Sequence, residues 1–135
     1  MTLPEAIEQS NRVYIVGNGG SYANAQHICN DLLACGVRAY TIDPATLSAF
    51  ANDEGWDVAL ARWLAVVGES GDLLVALSGS GKSPNILNAI CEAERRGMLV
   101  YRIFGNERGE DMQEAEEAQL VVGHMARLCL LRKTS

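Results

Sequence analysis

Several residue types are scarce in this 135-residue chain. Histidine occurs only twice, so any imidazole chemistry has two candidates, His27 and His124. Basic residues are outnumbered, 11 Lys and Arg against 17 Asp and Glu, giving a net charge of −6. They are also scattered, the densest being Arg95-Arg96 and Arg127 with Arg132-Lys133. No basic stripe exists that would track a nucleic-acid backbone. No apolar run approaches the ~20 residues of a membrane span. The opening MTLPEAIEQSNR lacks the basic start and apolar core of a secretion signal. The four cysteines, Cys29, Cys35, Cys91 and Cys129, form neither CxxC pairs nor a tight framework. They are expected to be reduced, buried small residues in a cytoplasmic protein. Nucleic acid and membrane are not expected partners.

What is present is an alternation of apolar runs and helical segments. The chain is read as one domain over 1–135, large enough to bury a core, with a short N-terminal segment over 1–11 and a shortened tail over 123–135. Strands are expected at Arg12–Val16, Val37–Ile42, Asp72–Leu77, Leu99–Phe104 and Gln119–Val122. Helices are expected at Tyr22–Ala34, from Asp43-Pro44 through Ala51, at Asp57–Val67, Pro84–Arg96 and Arg108–Glu117, with a start at Ala126 that runs out within about two turns. Asn52-Asp53-Glu54-Gly55 reads as a polar break. The strands are apolar throughout rather than at every second residue, which predicts a doubly wound α/β fold with a five-stranded parallel sheet covered on both faces. Ligands bind such sheets at the carboxyl ends of the strands.

Two glycine turns leave strands at that edge. Gly17-Asn18-Gly19-Gly20-Ser21 follows the first strand, and Ser78-Gly79-Ser80-Gly81-Lys82-Ser83 follows the third and leads into a helix at Pro84. Glycines let backbone N–H groups turn towards a ligand, Ser78, Ser80 and Ser83 add hydroxyls, and the helix N-terminus adds partial positive charge. An acidic chain can hold phosphate this way without a cationic side chain. Two commoner phosphate motifs fail. Tyr22 stands where a dinucleotide fingerprint needs its third glycine, and Ala76 where a nucleotide P-loop needs its first.

Together the turns GNGGS, with a histidine six residues on, and SGSGKSPN resemble the sugar isomerase (SIS) domain, and within it the sedoheptulose-7-phosphate isomerases, also called phosphoheptose isomerases. The resemblance runs from Val13 to Val122. It implies a phosphorylated-sugar ligand and assembly into homodimers or homotetramers. Ser78, Ser80 and Ser83 fall on the family's phosphate-binding serines, Asn18, Gly19, Gly20 and Ser21 on its first sugar-contacting turn, and Asn52-Asp53 on its substrate-contacting Asn-Asp pair. His27 and Asp31 match the family's helical histidine and glutamate and, four residues apart, share a helix face. The implied reaction is aldose–ketose isomerisation, in which a carboxylate moves a proton through an enediol and an acid stabilises the oxyanion. Asp31 is the candidate base, with His27 polarising or orienting. No cofactor is required for this chemistry, although His27 and Asp31 match positions through which some relatives bind zinc.

Three departures accompany the resemblance. Asp31 is one methylene shorter than glutamate. Cys129 and Leu130 align where a C-terminal Gln-Glu pair would stand, and His124 is expected before that helix rather than on it. The long N-terminal helix is nearly absent. Two readings follow: a shortened phosphosugar isomerase whose missing acid is His27, His124, a metal or a partner subunit, and a phosphosugar-binding module without turnover, acting as sensor, regulator or subunit.

Overall fold

A computed structural model describes residues 1–105 and 112–134. In chain order the elements are α1 (Leu3–Glu8), β1 (Val13–Val16), α2 (Gly20–Ala34), β2 (Ala39–Tyr40), α3 (Pro44–Glu54), α4 (Trp56–Val67), β3 (Leu73–Ser78), α5 (Pro84–Arg95), β4 (Leu99–Phe104) and α6 (Met112–Thr134). The sheet order is β2-β1-β3-β4 and every pairing is parallel.

The apolar strands divide their side chains between two cores. Val13 and Ile15 of β1, with Leu73, Val75 and Leu77 of β3, pack under α1, α2 and α6 against Leu3, Ile28, Leu32 and Leu130. Tyr14 and Val16, with Leu74 and Ala76, pack under α4 and α5 against Leu60, Trp63, Leu64, Ile86 and Ile90. Alternation along a strand normally gives one wet face. Here both faces are dry along β1 and β3, which are buried throughout and apolar up to Ser78, the last residue of β3.

Among the described residues four strands form, not five. Gln119–Val122, expected as the fifth, lies inside the 23-residue α6. A short apolar run does not distinguish a strand from a buried helix face. The packing does: Ala115, Gln119, Ala126 and Leu130 are buried and recur at helical spacing. The tail therefore does not run out after Ala126, and His124 is on the helix rather than before it. Of the charged helix expected over Arg108–Glu117, Met112–Glu117 is the start of α6, and 108–111 lie outside the described residues. At the other edge the expected Val37–Ile42 strand pairs only at Ala39–Tyr40, a short edge strand of the kind that resists intermolecular pairing. The polar break also falls later. Asn52–Glu54 complete α3, and Gly55 ends it with φ 107°, where a side chain would be strained.

Of the cysteines, Cys29 is buried, Cys35 is half-buried, and Cys91 and Cys129 are exposed, so the expectation of burial fails for the last two. Burial pushes the Cys29 thiol above its ordinary value. Trp63 belongs to the core, whereas Trp56 is half exposed.

Candidate active site

Because β1 and β3 are neighbours in parallel register, Val16 opposite Ala76, their following turns emerge side by side. Asn18 and Asn85 join them: Nδ2 of each donates to Oδ1 of the other, at 2.8 and 2.7 Å. Between the turns lies a cleft of about 240 Å³ lined by Asn18, Gly19, Gly20, Ser21, Ser78, Ser80 and Ser83. All seven were expected at a ligand site. The serine loop is organised by its own hydroxyls, Ser78 Oγ accepting from Gly81 N–H (2.9 Å) and Ser80 Oγ from Lys82 N–H (3.1 Å). Both oxygens act as acceptors, which leaves the hydroxyl hydrogens to donate to an anion. The N-terminus of α5, just behind Ser83, adds its dipole.

Ser21 does not cap α2. The helix expected from Tyr22 begins two residues earlier, at Gly20, with Gly19 as its N-cap at φ 54°. The Ser21 hydroxyl instead accepts from Gln119 Nε2 (3.0 Å). Asn24 Nδ2 donates to Gln119 Oε1 (2.9 Å) and to the Glu116 carbonyl (2.8 Å). These buried links zip α2 to α6 in parallel. Glu116 closes the cleft: its carboxylate occupies the space a Cβ on Gly20 would take, so a side chain there would displace the Glu116 carboxylate. The adjacent Tyr22 hydroxyl donates to the Ile42 carbonyl. Burial, with Asp43 adding to it, raises the Tyr22 pKa.

Two turns further along α2 the same register brings His27 to His124, Nε2 to Nε2 at 3.0 Å. Asp31 Oδ2 lies 3.5 Å from His27 Nε2 and 3.8 Å from His124 Nε2. Asp31 Oδ1 lies 3.8 Å from Arg127 Nε. Asp31 Oδ2 is buried and has no hydrogen-bond partner. A buried carboxylate oxygen beside two imidazole nitrogens, all three donor atoms within 4.8 Å of one another, fits a divalent cation. From Gly20 to His27 the helix rises ~10 Å, comparable to the length of an open-chain phosphosugar.

Asn52 and Asp53 are not brought to this site. They lie exposed on the last turn of α3, Asn52 Nδ2 donating to Asp53 Oδ1 (3.3 Å), and neither lines the cleft. Conversely, Asn85, Glu116, Gln119 and Arg127 were not anticipated. Asn85 follows Pro84 in the second turn motif. The others become visible only once 112–134 is read with a helical period.

A parallel sheet with paired Ser/Gly turns at its carboxyl edge defines an α/β domain with a cleft of anion-binding type. The SIS domain family profile matches residues 2–105. The chain belongs to the SIS domain family. Among its relatives is the phosphoheptose isomerase of Burkholderia pseudomallei (strain 1710b), 35% identical over 89% of this chain and 72% of that protein. Solved phosphoheptose isomerases superpose closely. The Neisseria gonorrhoeae enzyme has a TM-score of 0.85 at 26% identity, over 95% of this chain and 80% of that one. The Francisella tularensis enzyme has a TM-score of 0.87 at 26% identity, over 96% and 82%.

Proposed function

We propose that this protein is a phosphoheptose isomerase, interconverting sedoheptulose 7-phosphate and its aldose partner through an enediol. The observation that carries this reading is the joint placement of a phosphate-type cleft and a His27–Asp31–His124 cluster along one pair of helices. The phosphate is held by Ser78, Ser80 and Ser83, and the sugar runs from Asn18, Gly19, Gly20 and Ser21 along α2. Its carbonyl end then meets Asp31, which removes the proton beside the carbonyl. The neighbouring His27 and His124, with their Nε2 atoms 3.0 Å apart, are placed to stabilise the oxyanion. The named relatives support the substrate class.

Zinc, if bound, would be held by His27, Asp31 and His124 and would supply Lewis-acid polarisation of the carbonyl. The acid expected to be missing is available from the chain itself, since α6 carries His124 into the cluster. This favours turnover over a binding module. No helix among the described residues is long and apolar enough to cross a membrane, and we assign the reaction to the cytoplasm. Asn52 and Asp53, remote from the cleft in one chain, are candidates to reach a site in a partner subunit of a homo-oligomer.

The test is sedoheptulose 7-phosphate in heavy water, followed by NMR. Deuterium should enter next to the carbonyl with wild-type protein and not with Asp31→Asn. Binding without exchange in the wild type would leave only a phosphosugar-binding module.

A further inference from the structure

The isomerisation as described gives Arg127 no part, yet its placement is unusual. Its Nε is buried and has no hydrogen-bond partner, and it lies 3.8 Å from Asp31 Oδ1. A buried N–H without a partner is costly unless something balances it, and among the described residues the Asp31 carboxylate is the charged group beside it. Arg127 follows His124 by one turn of α6, as Asp31 follows His27 by one turn of α2. The parallel register that pairs the imidazoles therefore also pairs guanidinium with carboxylate. The Asp31 carboxylate is divided among three neighbours. Oδ1 faces Arg127, while Oδ2 faces the two histidines.

We propose that Arg127 is a built-in competitor for this cluster, lowering its affinity for a divalent cation so that metal is held exchangeably rather than permanently. The inference rests on the reading of His27, Asp31 and His124 as metal ligands. With neutral imidazoles, Asp31 supplies the only negative charge among the three, and Arg127 cancels it. A cation bound through Oδ2 would share one carboxylate with a guanidinium, and affinity at such sites follows ligand charge. The Arg127 side chain is 42% exposed, so solvent screens part of the repulsion. The effect is therefore about tenfold rather than many orders of magnitude.

The experiment titrates cobalt(II) into the protein, follows its visible absorption, and obtains zinc affinity by competition. Wild type is compared with Arg127→Gln, which keeps polarity and removes charge, with Arg127→Met as a second neutral variant, and with Arg127→Lys. The neutral variants should bind metal about tenfold more tightly, while Arg127→Lys stays near wild type. Equal or weaker binding in both neutral variants, with a cobalt spectrum present in all, overturns the role of Arg127 alone. No cobalt spectrum in any variant overturns it together with the metal reading.

Discussion

The side chains of Asn18 and Asn85 exchange two hydrogen bonds across the gap between the turns that follow β1 and β3. Asn85 is almost fully buried, at 1% exposure. The reciprocal pair fixes the separation of the turns before any ligand arrives, which is how a rigid scaffold limits the ordering cost of binding. It also changes the expected role of Asn18, whose amide is engaged in holding the site together as well as facing the cleft.

Removing one partner strands the other. Asn85→Ala should lower stability by about 1–3 kcal/mol, because a buried amide loses its partner. It should also weaken phosphosugar binding. Urea denaturation and calorimetric titration read the two effects. The double variant with Asn18→Ala should cost less than the sum of the single ones, and additive losses would show that the pair is not coupled.

The serine loop should separate binding from stability. Ser80→Ala removes a half-buried hydroxyl at the cleft and its bond to Lys82 N–H. Stability should fall by no more than ~1 kcal/mol, while affinity for sedoheptulose 7-phosphate drops at least about tenfold, a charge-assisted bond to phosphate being the stronger kind. An unchanged dissociation constant would remove Ser80 from the phosphate site.

Two glycines should fail differently. A Cβ at Gly123 would lie 2.6 Å from Ile28 Cγ1, inside the packed α2–α6 contact. Gly123→Ala should therefore destabilise by ~1–3 kcal/mol and part the two histidines. A Cβ at Gly20 meets only the movable end of Glu116. Gly20→Ala should melt near wild type and yet lose ligand. Thermal melts and titration of both variants make the comparison.

Alkaline pH tests the second core. Tyr14 donates to the Val67 carbonyl at 2.9 Å, and burial first, with Asp72 adding to it, raises its pKa. Tyr22 is shifted the same way. A phenol whose folded pKa lies above its unfolded value stabilises the fold fully below about pH 10. That stability is lost as pH rises from the unfolded pKa through the folded one. Unfolding free energy should thus be insensitive to these phenols below about pH 10 and decline above it, with a shallower decline in Tyr14→Phe. An identical slope in that variant would remove Tyr14 from the effect.

The sequence by itself determined the parallel α/β architecture and both glycine turns. Each rests on local chemistry: continuous apolar runs such as Leu73–Leu77 bounded by turn residues, glycines at turn positions, and Pro84 starting a helix. It also supplied the turn residues of the cleft, though not Glu116, because consecutive turn residues stay together whatever the rest of the chain does. Local chemistry could not settle Gln119–Val122, whose few apolar residues suit a strand or a helix equally. Only the burial of Ala115, Gln119, Ala126 and Leu130, recurring at helical spacing, makes it helix. From that one choice follow the Gln119 links to Ser21 and Asn24, the His27–His124 contact and the Asp31–Arg127 pair. Tertiary structure alone decided these, because each joins residues more than ninety positions apart, and the register of two packed helices is a property of neither one alone.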